Sequence, residues 1–150
     1  MKLVIGCDHA AFDAKTELVH YLKSIGQDII DEGTHSLDSV DYPDFAARVS
    51  QKVQSGEAQR GILICGTGIG MSIAANRYKG IRAALCCNEE LATLSRLHND
   101  ANVLCLGART QSIESMKSIL SVWLTTEWEG DRHAIRLNKI EQNSRGQDAE

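Results

Sequence analysis

Residues 61–72, Gly-Ile-Leu-Ile-Cys-Gly-Thr-Gly-Ile-Gly-Met-Ser, set a thiol directly before three glycines at alternate positions. Ile62 to Ile64 is a short apolar, β-branched run of the kind that suits a strand buried on both faces. Cys65 ends that strand, Gly66, Gly68 and Gly70 make a loop, and a helix is predicted over Met71 to Lys79, stopped by Gly80. Glycines allow positive φ and leave backbone N–H groups uncovered. A helix start adds unpaired donors and partial positive charge. The loop can therefore hold a negative charge, and a thiolate at Cys65 is stabilised there. This is the arrangement of a base beside an anion site.

The elements that must position this loop are legible from periodicity. Apolar strands are predicted at Lys2–Gly6, Asp28–Asp31, Ile81–Cys86 and Asn102–Leu106, in addition to the one ending at Cys65. Between them run helical patterns. Ala11, Ala14, Leu18, Leu22 and Ile25 form one stripe, and Phe45, Val49 and Val53 another after Pro43. Asn88 is a fair N-cap for a helix with Leu91, Leu94 and Leu97 inward. Met116, Ile119, Leu120, Trp123 and Leu124 mark a long helix from Ser112 to Trp128. A last helix carries Arg132, His133 and Arg136, and a polar tail begins at Asn143. The alternation predicts a single α/β domain over 1–150. Its architecture is a three-layer α/β/α sandwich, Rossmann-like, with a five-stranded parallel sheet. Such sheets bind ligands beyond the carboxyl ends of their strands.

Those ends offer Asp8 and His9, Cys65 with its loop, Cys86 and Cys87, and Gly107 to Arg109. Each has a bland reading. Cys7, Cys86, Cys87 and Cys105 read as small packed hydrophobes. A lone histidine is more often structural, so His9 and His98 draw weight from the polar residues around them. Arg132 and Arg136, spaced i, i+4, are equally well a solvated face or a phosphate clamp.

Bulk composition narrows the classes. The 150 residues carry a net charge of −4, which gives no basic field for nucleic acid or an anionic membrane. No apolar run approaches the roughly 20 residues of a membrane span. Five cysteines, an odd number set mostly in apolar runs, point to free thiols in a reducing cytoplasm. Familiar motifs fail. Gly66-Thr-Gly-Ile-Gly-Met lacks the last glycine of a dinucleotide fingerprint, and no lysine follows to make a Walker-type loop. Met71 stands where a cysteine-dependent phosphatase needs arginine, and no zinc spacing is present. A thiol base, an anion loop, a histidine acid and an arginine pair suit proton transfer beside a carbonyl on a small phosphorylated substrate. A non-catalytic sugar-phosphate or nucleotide binding module is the rival reading of the same glycine loop.

Gly6-Cys-Asp-His-Ala-Ala-Phe, Asp41-Tyr-Pro-Asp, Ile64-Cys-Gly-Thr-Gly-Ile-Gly-Met-Ser-Ile-Ala-Ala-Asn and His98-Asn-Asp-Ala-Asn-Val together resemble the ribose-5-phosphate isomerase B family. The likeness runs from Lys2 to about Ile140. It implies interconversion of ribose 5-phosphate and ribulose 5-phosphate through an enediol, in the non-oxidative pentose phosphate branch, with no metal or organic cofactor. By match, Cys65 is the base, His98 the ring-opening acid, and Thr67 with the amides of Gly66, Gly68, Ile69 and Gly70 the enediolate site. Ser72 and Tyr42 line the pocket. Asp8 and Asn99 hold sugar oxygens, and His9, Arg109, Arg132 and Arg136 take the phosphate. The resemblance also implies a homodimer or homotetramer whose site is shared, with the His98 segment coming from the neighbour. Ala11 departs from the usual glycine and Arg77 from the usual lysine, neither at an assigned position. Allose 6-phosphate or another hexose 6-phosphate is the alternative substrate within the family. The His-Asn-Asp segment favours the pentose enzyme over galactose-6-phosphate isomerase subunits.

Overall fold

Five parallel strands form one sheet: Lys2–Cys7 (β1), Asp28–Asp31 (β2), Arg60–Cys65 (β3), Ala83–Leu85 (β4) and Val103–Gly107 (β5). The computed structural model describes residues 1–145. The strands lie in the order β2-β1-β3-β5-β4, so the chain reverses direction of growth between β1 and β3. Helices Phe12–Ser24 (α1), Tyr42–Gln54 (α2), Ile69–Ala75 (α3), Glu89–Asn99 (α4), Ile113–Thr125 (α5) and Arg132–Arg145 (α6) complete the chain.

Alternation along each strand divides the core into two layers. Leu3, Ile5, Ile62, Ile64, Leu104 and Leu106 face α1 and α5, where Leu18, Leu22, Ile119, Leu120 and Trp123 are buried against them. Val4, Leu63, Cys65, Val103 and Cys105 face α2 and α3, meeting Phe45, Ala46, Val49, Met71 and Ala75. A sheet covered on both faces explains why its strands read as continuous apolar runs. Cys65 thus belongs to the α2–α3 side.

Several boundaries differ from the sequence expectation, each for a local reason. Asp8 caps a 3-10 turn at His9–Ala11, so α1 starts only at Phe12. Within α1, Lys15 is buried, its ammonium held by both Asp31 carboxylate oxygens and the Thr34 carbonyl, whereas Ile25 is exposed. α3 begins two residues early and stops at Ala75, because the Asn76 side chain pairs with both backbone groups of Ala83. β4 is shorter than Ile81–Cys86, since the amides of Ile81 and Arg82 bond to Tyr78 and to the Asn102 side chain. In α4 the leucine stripe is not the inner face. Leu91 is 42% exposed, and Ala92, Ser95 and Arg96 are buried instead. The Arg96 guanidinium is satisfied there by Asp100 and the Ala101 and Thr126 carbonyls, and Leu94 and Leu97 are half-buried at the side of that face. α5 ends at Thr125, short of Trp128, and Asn143 to Arg145 continue α6. The remainder of the polar tail, 146–150, lies outside the described residues.

Candidate active site

The site grows from the point where the sheet reverses. Cys7 pairs with Ile64 in the ladder, and the Asp8 N–H donates to the Ile64 carbonyl at 3.2 Å. Asp8 and Cys65 therefore leave adjacent strands at the same edge, the crevice that open α/β sheets use for ligands. Asp8 is 8% exposed, and its Oδ1 accepts from the Ala10 N–H at 3.1 Å.

Cys65 is 5% exposed and its Sγ accepts from the Gly68 N–H at 3.2 Å. Gly68 can turn that amide back because it sits at φ +80, and a Cβ there would lie 2.6 Å from Leu85 Cδ1. Thr67 Oγ1 accepts from the Ile69 N–H at 3.3 Å and Ser72 Oγ donates to the Ile69 carbonyl at 2.8 Å. Both hydroxyls thus brace the loop and the first turn of α3. The helix has seven residues, fewer than the sequence pattern suggests, so the local amides matter more than its dipole. Gly70 lies in that first turn directly under the Tyr42 ring, whose Cζ would be 2.6 Å from an added Cβ.

From the other side, the Ala108 and Arg109 N–H groups donate to the Cys65 and Gly66 carbonyls at 2.8 and 2.9 Å. The Arg109 guanidinium rests over Gly66, its Nη1 3.3 Å from where a Cβ would stand. His9 is fixed by the Val40 N–H, which donates to Nδ1 at 3.1 Å. One edge thus gathers Asp8, His9, Tyr42, residues 65–72 and Arg109.

The remaining cysteines divide. Burial pushes the Cys7 thiol up to about 12 and raises those of Cys86 and Cys105. These three are protonated packing groups, as expected. Cys87 is exposed and does not pack, contrary to its reading as a core residue.

His98, Asn99, Arg132 and Arg136 stand elsewhere in the chain. A helix connecting parallel strands runs back to their amino-terminal edge, and His98 and Asn99 close the last turn of α4. The Asn99 carbonyl accepts from Arg82 Nε at 3.0 Å, just ahead of β4. Arg132 and Arg136 are exposed on α6, which is tied in by the Glu129 N–H donating to the Leu97 carbonyl at 3.1 Å. A single chain therefore does not bring these four to Cys65.

Sequence reading missed the Val40 amide that fixes His9, which carries no side-chain signal, and the facing of Glu129, in the irregular stretch before α6, toward His98. His133, 8% exposed, is stacked on His98, which its helix position alone did not reveal. No described helix is long and apolar enough to cross a membrane.

A family model described as ribose/galactose isomerase matches residues 3–140. Ribose-5-phosphate isomerase B of Escherichia coli K12 is 48% identical over 139 residues, covering 93% of each chain. The solved ribose-5-phosphate isomerase B of Clostridium thermocellum superimposes with a TM-score of 0.97 at 49% identity, covering 98% of this chain and 99% of that one. The Mycoplasma genitalium enzyme of the same name, solved with bound ribulose-5-phosphate, gives 0.92 at 38% identity, covering 96% of both chains. With its thiol and glycine loop at the reversal of a 2-1-3-5-4 sheet, the chain belongs to the ribose/galactose isomerase family.

Proposed function

We propose that the protein is an aldose–ketose isomerase that interconverts ribose 5-phosphate and ribulose 5-phosphate through an enediolate. The observation that carries this reading is the Gly68 N–H donating to Cys65 Sγ at 3.2 Å. It holds a nucleophilic sulfur at the lip of a loop of backbone donors, beside Asp8. Cys65 takes the proton from C2 of the open aldose. The electron pair moves to the carbonyl oxygen, and the loop amides of residues 66–70 with Thr67 stabilise the charge that develops there. The C2 hydroxyl proton passes to the C1 oxygen, and return of the proton from Cys65 to C1 completes the ketose with no net change in atoms or electrons.

His9 takes part through its Nε2. Because Nδ1 accepts from Val40, the neutral ring carries its proton on Nε2 and offers it to a phosphate oxygen. Arg109 adds a cation over Gly66, and Asp8 accepts from sugar hydroxyls. Ring opening needs an acid, and the amino-terminal edge of a second copy supplies it as His98, with Asn99, Arg132 and Arg136 beside it. Separation of the two groups within one chain is what supports a homodimer or larger assembly. The five free thiols fit a reducing cytoplasm.

The test is ketose phosphate formation from ribose 5-phosphate by purified protein, run beside a hexose 6-phosphate and with a chelator. Turnover of the pentose that survives chelation is expected. Absence of turnover, or its loss with the chelator, would overturn the reading.

A further inference from the structure

Away from Cys65, the end of α4 and the start of α6 bring together a second set of chemically able groups. The rings of His98 and His133 stack with centroids 4.4 Å apart and planes inclined by 20°. Both face one carboxylate: Glu129 Oε2 stands 3.4 Å from His133 Nε2 and 4.0 Å from His98 Nε2. Neither contact is a hydrogen bond, and His133 Nε2 is buried without a partner on a residue only 8% exposed. A buried ring nitrogen left without a partner is costly, and this one is aimed into the cluster. Among the described residues, this is the one group of three metal-ligand side chains whose donor atoms lie within 4.8 Å of one another.

We infer that His98, Glu129 and His133 form a binding site for a divalent transition ion, with zinc the best match. Two imidazole nitrogens and one carboxylate oxygen are a donor set that zinc takes with a water in the fourth place. Bonds of 2.0–2.2 Å in a tetrahedron put donors about 3.3–3.6 Å apart. The Glu129–His133 edge, at 3.4 Å, already fits. His98 closes the third corner by a small side-chain rotation, for which its 38% side-chain exposure leaves room. Glu129, at 52%, opens the entry path from solvent. An ion there would occupy the ring that the proposed isomerase uses as its acid, so zinc should inhibit turnover. That consequence, unlike the site itself, rests on the proposed function.

Equilibrium dialysis against zinc, with metal counted in the recovered protein, tests the site directly. One ion per chain is expected for the wild type. Glu129→Gln, a surface change, and His133→Gln should each weaken binding by more than the ~10–100-fold typical of losing an outer partner. Cobalt(II) loaded in its place should show the visible bands of a four-coordinate ion without sulfur charge transfer, which excludes Cys65 and Cys87 as ligands. Failure to bind stoichiometric zinc, undiminished uptake by Glu129→Gln, or a thiolate band overturns the site. Zinc bound at one per chain without loss of turnover supports the site and removes the acid role of His98 instead.

Discussion

Val40 and His9, 31 residues apart in sequence, are joined by a hydrogen bond in which the Val40 N–H donates to His9 Nδ1 at 3.1 Å. A backbone amide can only donate, so it settles which ring nitrogen accepts. The other, Nε2, keeps the proton and is available to a substrate oxygen.

His9→Ala is therefore expected to raise the KM for ribose 5-phosphate roughly tenfold or more, the effect of losing a hydrogen bond to a charged group. The change in kcat should be smaller. Steady-state kinetics check this, and an unaltered KM would remove His9 from the phosphate site.

Gly70 and Tyr42 meet so closely that an added methyl would lie 2.6 and 2.8 Å from two ring carbons and 3.0 Å from the hydroxyl oxygen. Gly70→Ala should destabilise the fold by about 1–3 kcal/mol through overpacking and displace Tyr42 from the loop. Tyr42→Ala in the same chain should recover part of that loss. Thermal unfolding of the two single variants and the double variant gives the coupling. Strictly additive losses would contradict the contact.

Buried thiols make an alkaline prediction. Cys7 rises from 9.0 to about 12, and Cys86 and Cys105 rise for the same reason, removal from water. A thiol held protonated in the fold contributes stability that is complete below its unfolded pKa. That contribution is lost as pH climbs toward the folded value. Unfolding free energy should thus fall above about pH 9, by up to ~1.4 kcal/mol per pH unit for each such thiol. Cys7→Ala should flatten the slope by one such step. Urea midpoints across this range would show it, and an equal slope in the variant would contradict the assignment.

A shared site predicts complementation. Cys65→Ala and His98→Asn homomers should both be nearly inactive. In a mixed dimer, one site pairs an intact Cys65 with an intact His98. Random mixing of a twofold dimer then restores about a quarter of the wild-type activity. Denaturing and refolding the two variants together, against each refolded alone, measures this. No recovery would place both residues in one chain's site or in none.

The residues around Cys65 were legible because strand, thiol and glycines are contiguous, so local chemistry and global position coincide. The layered sheet was legible for a similar reason, since buried parallel strands are apolar throughout. Arg96 shows where periodicity stops working. A guanidinium satisfied by Asp100, Ala101 and Thr126 takes the inner face of α4, leaving Leu91 exposed and Leu94 and Leu97 only half-buried. The Thr126 carbonyl lies 30 residues from Arg96, and the contact of His98 with Glu129 and His133 likewise joins residues distant in sequence. The Val40 amide is invisible to any side-chain pattern.

The role of Cys65 as the base is tested most directly by the turnover number of Cys65→Ala on ribose 5-phosphate, with circular dichroism confirming the fold. A positioned general base contributes roughly 10²–10⁴-fold, and a loss of that size in kcat is expected. A folded Cys65→Ala protein that isomerises the sugar at a near-normal rate would contradict the account.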